Sequence, residues 1–272
     1  MEARVEHRQQ GNILDIRDVS VGFDGFTVLD GLQFSMRKGE LRFLIGPNGA
    51  GKTTLLDVVT GKTKPAKGRV VYDGGVDLVG RREAEIVRLG VGRKFQTPAV
   101  FGSLTVLQNL ETAAGFRGGL RGLVRPLGEE REARVRQTLG EVGLAAKADA
   151  LAKALSHGER QWLELGMLLA QDLQLLLLDE PVAGMTRAER DRAGELLQRT
   201  ARDRSILVVE HDMAFVRQFG SVVTVLHMGK LLAEGPVETV QADPRVIEVY
   251  LGRGHAKGHG RPVAQGAVAL GA

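Results

Sequence analysis

The 272-residue chain contains no cysteine, which excludes disulfides, thiolate metal ligands and cysteine nucleophiles and suits a reducing compartment. Aromatic residues make up only 4% of it, and no nucleic-acid reading module is present, so a nucleic-acid partner is not expected. No apolar run approaches the ~20 residues that span a bilayer. Residues 1–11 are polar and charged rather than signal-like, so any membrane contact is expected to be peripheral and made through a partner. The net charge is a modest +4, with one local concentration of basic residues at Arg117, Arg121, Arg125, Arg131, Arg134 and Arg136. That run fits an ordinary solvated helix and loop better than a surface for anionic lipid. Internal repeats are also missing.

Glycine, by contrast, is plentiful, and one cluster of it carries chemistry. Gly46-Pro47-Asn48-Gly49-Ala50-Gly51-Lys52-Thr53 has the spacing of a phosphate cradle, in which bare backbone amides approach phosphate oxygens that a Cβ would obstruct. Lys52 is expected to reach the β and γ phosphates as a point charge and the Thr53 hydroxyl to bind Mg2+. A helix starting near Gly51 would turn its positive end toward the anion. The flanks agree, because Leu41–Ile45 reads as a buried strand and Lys52–Thr60 as a helix. A glycine-rich turn that matches by accident would not be placed between such flanks.

Mg2+ keeps several waters and takes only one or two protein carboxylates. Leu175-Leu176-Leu177-Leu178-Asp179-Glu180 supplies them: four leucines suit a central parallel strand covered on both faces, and Asp179 emerges at its carboxyl end. Asp179 is expected on the metal side, and Glu180 as the base that orients the attacking water. Taken alone, this stretch would also fit a buried strand ending in surface acids.

Joined to Leu155-Ser156-His157-Gly158-Glu159-Arg160-Gln161, these motifs make the chain from about 13 to 251 resemble the ATP-binding subunits of ATP-binding-cassette (ABC) transporters. The resemblance implies an α/β fold: a P-loop NTPase (RecA-like) cassette core over residues 12–251, with a small antiparallel β subdomain and an inserted α-helical subdomain at about 97–170. It implies ATP and Mg2+ as ligands, lined by Gly46 to Thr54, and a metal set of Thr53, Gln96 and Asp179. Gln96, in Lys94-Phe95-Gln96-Thr97-Pro98, would contact both the metal site and a membrane partner. His211 would switch on the γ phosphate, and Phe23, or alternatively Phe26, would stack on adenine. Glu180, His211, Gln96 and Lys52 thus form the expected catalytic set. Ser156 and Gly158 would clamp ATP held by a second cassette, since one cradle and one signature in a chain cannot complete a site in the family's head-to-tail arrangement.

Two departures from the common family pattern stand out. In the signature, usually L-S-G-G-Q, His157 replaces the first glycine and Glu159 the glutamine; after Glu180, Val182-Ala183-Gly184-Met185 lacks an interface aspartate. These features, with Gly92-Arg93-Lys94-Phe95-Gln96-Thr97-Pro98 and the run Asp243 to Gly252, resemble the branched-chain amino-acid and urea importer group, and within it the urea-importer ATPase. The alternative is a branched-chain amino-acid importer ATPase, or a soluble ABC ATPase without a transport role. The resemblance implies permease subunits, an indirect link to a periplasmic solute-binding protein, and a place on the cytoplasmic face of the inner membrane.

The remaining pattern organises the chain. Ile13 to Phe34 reads as short strands, with Asp24-Gly25 a hairpin turn, and the core is expected to continue through Val70-Val71-Tyr72. Glu129–Leu139 and Gly158–Leu169 read as helices, followed by strands at 175–178, 206–209 and 222–226 and a helix over 187–201. Residues 1–11 and 252–272 are expected to be disordered. His255 and His259 have helical i,i+4 spacing, but Gly254, Gly258 and Gly260 argue against a metal-binding helix. A chromosome-structuring ATPase would need a long coiled coil between cradle and signature, a translation cassette two cradles, and a metabolic kinase would have no use for Ser156-His157-Gly158.

Overall fold

A computed structural model describes residues 11–94, 100–115 and 128–255. Gln96, the arginines 117, 121 and 125, the polar start of the chain and the tail beyond residue 255 lie outside the described residues. The elements run β1 (Asn12–Phe23), β2 (Phe26–Arg37), β3 (Leu41–Ile45), α1 (Lys52–Val59), β4 (Lys67–Tyr72), β5 (Val76–Asp77), α2 (Glu83–Leu89), β6 (Val91–Lys94), α3 (Val106–Gly115) and α4 (Glu129–Glu141). They continue with α5 (His157–Ala170), β7 (Leu175–Asp179), α6 (Arg187–Thr200), β8 (Ser205–Val209), α7 (Met213–Phe219), β9 (Val222–His227), β10 (Lys230–Pro236), α8 (Val237–Gln241) and α9 (Pro244–His255).

Asp24 and Gly25 adopt φ of 48° and 85°, the paired left-handed conformation that lets two twisted strands reverse in two residues. The strands they join are 12 residues each, not the short strands expected. Register slips at four places along β1 break the strict alternation by which one continuous strand is recognised. With β4 and β5 they form an antiparallel sheet in the order β2-β1-β4-β5. Val70-Val71-Tyr72 therefore belongs to this sheet and does not continue the nucleotide core, since β4 pairs antiparallel with β1.

The second sheet has the order β10-β9-β3-β8-β7-β6, and β9, β3, β8, β7 and β6 pair in parallel. Every residue of β3, β7 and β8 is buried, as parallel strands covered on both faces require. Alternation then sorts the side chains into two cores. Phe43, Leu176, Leu178, Ile206 and Val208 pack with α4, α5 and α6, whereas Leu44, Leu175, Leu177, Leu207 and Val209 pack with α1 and the antiparallel sheet. Because the strands run in one direction, the cradle after β3, Asp179-Glu180 after β7 and Glu210-His211 after β8 all emerge along one edge.

The helices α3, α4 and α5 pack on one another between β6 and β7, so they interrupt the parallel sheet in sequence rather than extend it. At the far end, α9 is helical to His255, four residues past the expected end of ordered chain at 251. Val246 anchors α9 in the core, and once a helix is started each further residue adds a backbone hydrogen bond, which here outweighs the poor helix propensity of Gly252 and Gly254. His255 is thus helical, while His259 lies outside the described residues.

Candidate functional site

Backbone geometry shapes the cradle first. Gly46 has φ +149°, and a Cβ there would sit 2.2 Å from the Leu226 carbonyl oxygen; Gly51 has φ +102°, and a Cβ would meet Leu29 Cδ2 at 2.6 Å. Only glycine fits either place. The loop leads into α1, whose first residue, Lys52, folds back so that Nζ donates to the Gly46 and Pro47 carbonyls at 2.7 and 3.1 Å. Thr53 and Thr54 follow on the first turn, where helix amides have no intrahelical acceptor. The turn between β9 and β10 ties the same loop to β2: Gly229 N–H donates to the Ala50 carbonyl and Asp30 N–H to the Gly229 carbonyl. Phe23 and Phe26 stand opposite each other at the hairpin end, 49% and 77% exposed, as unpacked rings available to a planar partner.

Asp179 is 2% exposed at the end of β7. Its Oδ2 accepts from Arg93 Nη2 at 3.1 Å, and Arg93 also pairs with Asp57 of α1. Burial pushes the Asp179 carboxyl above the usual range, against the Arg93 hydrogen bond that pulls it down. Its second oxygen, Oδ1, is buried with no hydrogen-bond partner among the described residues. A buried, unsatisfied carboxylate oxygen on the sheet edge that also carries the phosphate cradle and Thr53 is a donor that a hydrated Mg2+ takes. The site therefore fits the metal.

Next along the chain, Glu180 has φ 48°, a left-handed backbone that costs a side-chain-bearing residue about 1–2 kcal/mol. Its N–H is fixed on the Val209 carbonyl at 2.9 Å, which joins the ends of β7 and β8. The turn carries the carboxylate sideways to His211, with Oε1 3.3 Å from Nδ1. Strain of this kind gathers where a side chain must be aimed.

Three contacts escaped the sequence reading. Glu210 is 2% exposed, and its Oε2 accepts from the His211 and Asp212 amides at 3.1 and 3.4 Å; burial raises its carboxyl despite those bonds. Lys94 pairs with Glu164 at 3.1 Å, both buried, and so ties β6 to the signature helix α5. A lone glutamate in the otherwise apolar run Trp162 to Ala170 was the available signal for this pair. Gln161, also buried, donates from Nε2 to the Ala183 carbonyl at 2.8 Å, linking α5 to the loop after Glu180.

The signature forms the start of α5. Ser156 is its N-cap, with Oγ accepting from Glu159 N–H at 3.3 Å while Glu159 Oε2 accepts from Ser156 N–H at 3.0 Å. This capping box explains Glu159, and Lys147, which lies against the same carboxylate, holds it below the usual range together with the Ser156 amide. Ser156 and His157 are exposed, and among the described residues no hydrogen bond occupies the His157 or Gly158 amide. Ser156, Gly158, Lys52, Thr53, Asp179, Glu180 and His211 thus all lie at loop ends or helix starts, and Gln96 alone of the expected set is outside the described residues.

A parallel sheet with a glycine cradle, a strand-end aspartate and glutamate, and an inserted helical layer defines a P-loop ATPase cassette. A family model described as "ABC transporter" matches residues 29–183, more than half of the chain. The chain belongs to the ABC transporter family, as an ATPase that binds ATP with Mg2+ and couples its hydrolysis to transport. A second model, described as "Branched-chain amino acid ATP-binding cassette transporter", matches residues 230–256. The high-affinity branched-chain amino acid transport ATP-binding proteins BraF of Pseudomonas aeruginosa and LivG of Escherichia coli (strain K12) are each 32% identical to it over 250 residues, covering 88% of this chain and 98% of theirs. The crystal structure of an ATP-binding cassette of an ABC transporter in its ADP conformation superposes with a TM-score of 0.78 at 30% identity, over 89% of this chain and 99% of that one. Among the described residues no helix is long and apolar enough to cross a membrane.

Proposed function

We propose that this chain is the motor subunit of an importer for branched-chain amino acids. The observation that carries the solute assignment is similarity along nearly the whole chain to proteins named for that transport, together with the separate match at residues 230–256. Those relatives favour the branched-chain alternative over the urea reading of the sequence. A cassette does not touch the solute, so descent rather than pocket chemistry supports the choice.

In this reading the chain sits peripherally on the cytoplasmic face of the membrane, docked on permease subunits that a periplasmic binding protein loads. Lys52 leaves the Gly46 and Pro47 carbonyls for the β and γ phosphates, and the cradle amides take the remaining oxygens. Thr53 and Asp179 would hold Mg2+, which would supply neutralisation of the phosphate charge. Phe23 covers adenine. Glu180 orients the attacking water and takes its proton, while His211, held beside it at 3.3 Å, contacts the γ phosphate. Ser156 and Gly158 of a second cassette close the site, and Gln96 passes the change to the permease.

Uptake of labelled leucine and labelled urea by cells carrying the chain intact or as Glu180→Gln tests both halves. Loss of leucine uptake alone is expected. Selective loss of urea uptake would restore the urea reading, and unchanged uptake of both would remove either solute. Purified Glu180→Gln is expected to bind ATP yet not turn it over.

A further inference from the structure

Where α9 packs on α8 and β10, a cavity of about 310 Å3 opens beneath it and reaches Ile45 at the end of β3. Its walls are Val223, Val237, Val240, Val246 and Ile247, and its size lies at the lower end of the range that holds small ligands. Such walls alone would fit any apolar guest. The polar lining narrows the choice, because it consists of Arg217, Gln241 and the Tyr250 phenol with no acidic residue. Arg217 is exposed, its Nε donates to the Met213 carbonyl at 3.3 Å, and among the described residues no carboxylate pairs with it. An apolar cavity with one uncompensated guanidinium at its rim matches an amphipathic anion, and a guanidinium is best satisfied by a planar carboxylate.

The same cavity reaches the catalytic loop. Ile45, the residue before Gly46, lines it together with Tyr250 of α9. The cradle thus begins one residue beyond the cavity wall, and Tyr250 of α9 lines the same space.

We infer that the cavity under α9 is an effector site for a small aliphatic carboxylate, with Arg217 as its anion partner and Ile45 in its wall as the link to the cradle. A bound acyl chain would prop α9 against the core beside Ile45, so that the loop that follows is preorganised for phosphate. The effect belongs to ATP affinity, since neither Arg217 nor Ile45 belongs to the expected catalytic set.

Calorimetric titration of the full chain with hexanoate, and with hexanol as the uncharged control, tests the site. Saturable hexanoate binding is expected, weakened about tenfold in Arg217→Gln by loss of the charge-assisted hydrogen bonds, and abolished in Ile247→Trp, which fills the mouth from an exposed position. Absence of saturable binding, equal affinity for hexanol, or unchanged binding in Ile247→Trp would overturn the assignment. The link to the cradle is read from ATPase kinetics of the same proteins. Saturating hexanoate should lower the KM for ATP while kcat holds, and Ile247→Trp should lose the KM shift together with the binding. Binding with no KM shift in the unsubstituted chain would refute the coupling and leave the site.

Discussion

Arg93 is the residue whose loss tests the site most sharply, because it neutralises two carboxylates at once. Its side chain is 5% exposed and pairs with Asp57 of α1 and with Asp179 Oδ2 at 3.1 Å. Arg93→Met keeps much of the volume and removes the charge. Asp57 is the milder loss, since its side chain is 17% exposed and Lys62 lies 3.7 Å away. Asp179, at 2% exposure, pairs with no second cation among the described residues and would be left as a buried, uncompensated charge. Breaking one side of such a pair costs about 3–5 kcal/mol, a large share of the roughly 5–15 kcal/mol that holds a protein folded. The pH dependence has a fixed sign. The folded pKa of Asp179 already lies above its unfolded value, and without Arg93 it rises further, so the folded variant binds the extra proton. The penalty is therefore full at pH 8 and shrinks toward pH 5 as Asp179 neutralises. Urea denaturation followed by the single tryptophan, Trp162, measures it. Arg93→Met/Asp179→Asn should recover most of the loss. A loss under about 1 kcal/mol at pH 8, as for an exposed pair, or one equal at pH 5 and pH 8, would refute the reasoning.

Three further substitutions separate other parts of the molecule. Gly46→Ala must displace the Leu226 carbonyl from a 2.2 Å contact, so ATP binding measured by a fluorescent analogue should fall at least about tenfold, and retention of binding would show that the loop can shift. Glu159→Ala removes the capping box and should cost about 1 kcal/mol in thermal unfolding, whereas Glu159→Gln keeps the box and loses only the exposed Lys147 pair; equal losses would deny the cap its role. Glu210→Gln removes a buried charge while leaving an acceptor for the His211 and Asp212 amides. Because burial raises Glu210, the folded native chain binds an extra proton at low pH, so any stability gain of the variant should be largest above pH 7 and disappear as pH falls. A gain that grows toward acid pH would reverse the assignment.

Much of the site was legible because its chemistry is local. Gly46 to Thr53 and Leu175 to Glu180 each pack a strand end, a turn and functional atoms into a few residues, so spacing alone places them. The same holds for Asp24-Gly25, where two left-handed residues fix the turn. What stayed hidden depends on distant partners. Arg93 with Asp179, Lys94 with Glu164 and Gln161 with Ala183 are separated by 86 residues in the first case, and nothing in either segment names the other. The twelve-residue length of β1 was masked by its bulges, and β4 was assigned to the wrong sheet because a buried run such as Val70-Val71-Tyr72 carries no mark of its partner.

The departures at His157 and Glu159 show why a motif should be read by its atoms. A helix start leaves four amides without intrahelical acceptors. In α5 the capping box satisfies those of Ser156 and Glu159, and it needs a glutamate or glutamine at the third helical position, so the glutamate here does what the commoner glutamine can do. The amides of His157 and Gly158 remain, unbonded among the described residues and beside an exposed serine. Filling the outer pair from within the chain leaves the inner pair for an anion from outside it, and the dipole of a 14-residue helix favours that charge. The cradle and its phosphates lie instead at the far ends of β3 and α1, in another layer of the fold. Phosphate held by Lys52 and amides presented by α5 are complementary surfaces on one chain that has only one of each. Head-to-tail pairing of two cassettes satisfies both at once, and in that arrangement neither replacement removes a group that would touch the nucleotide.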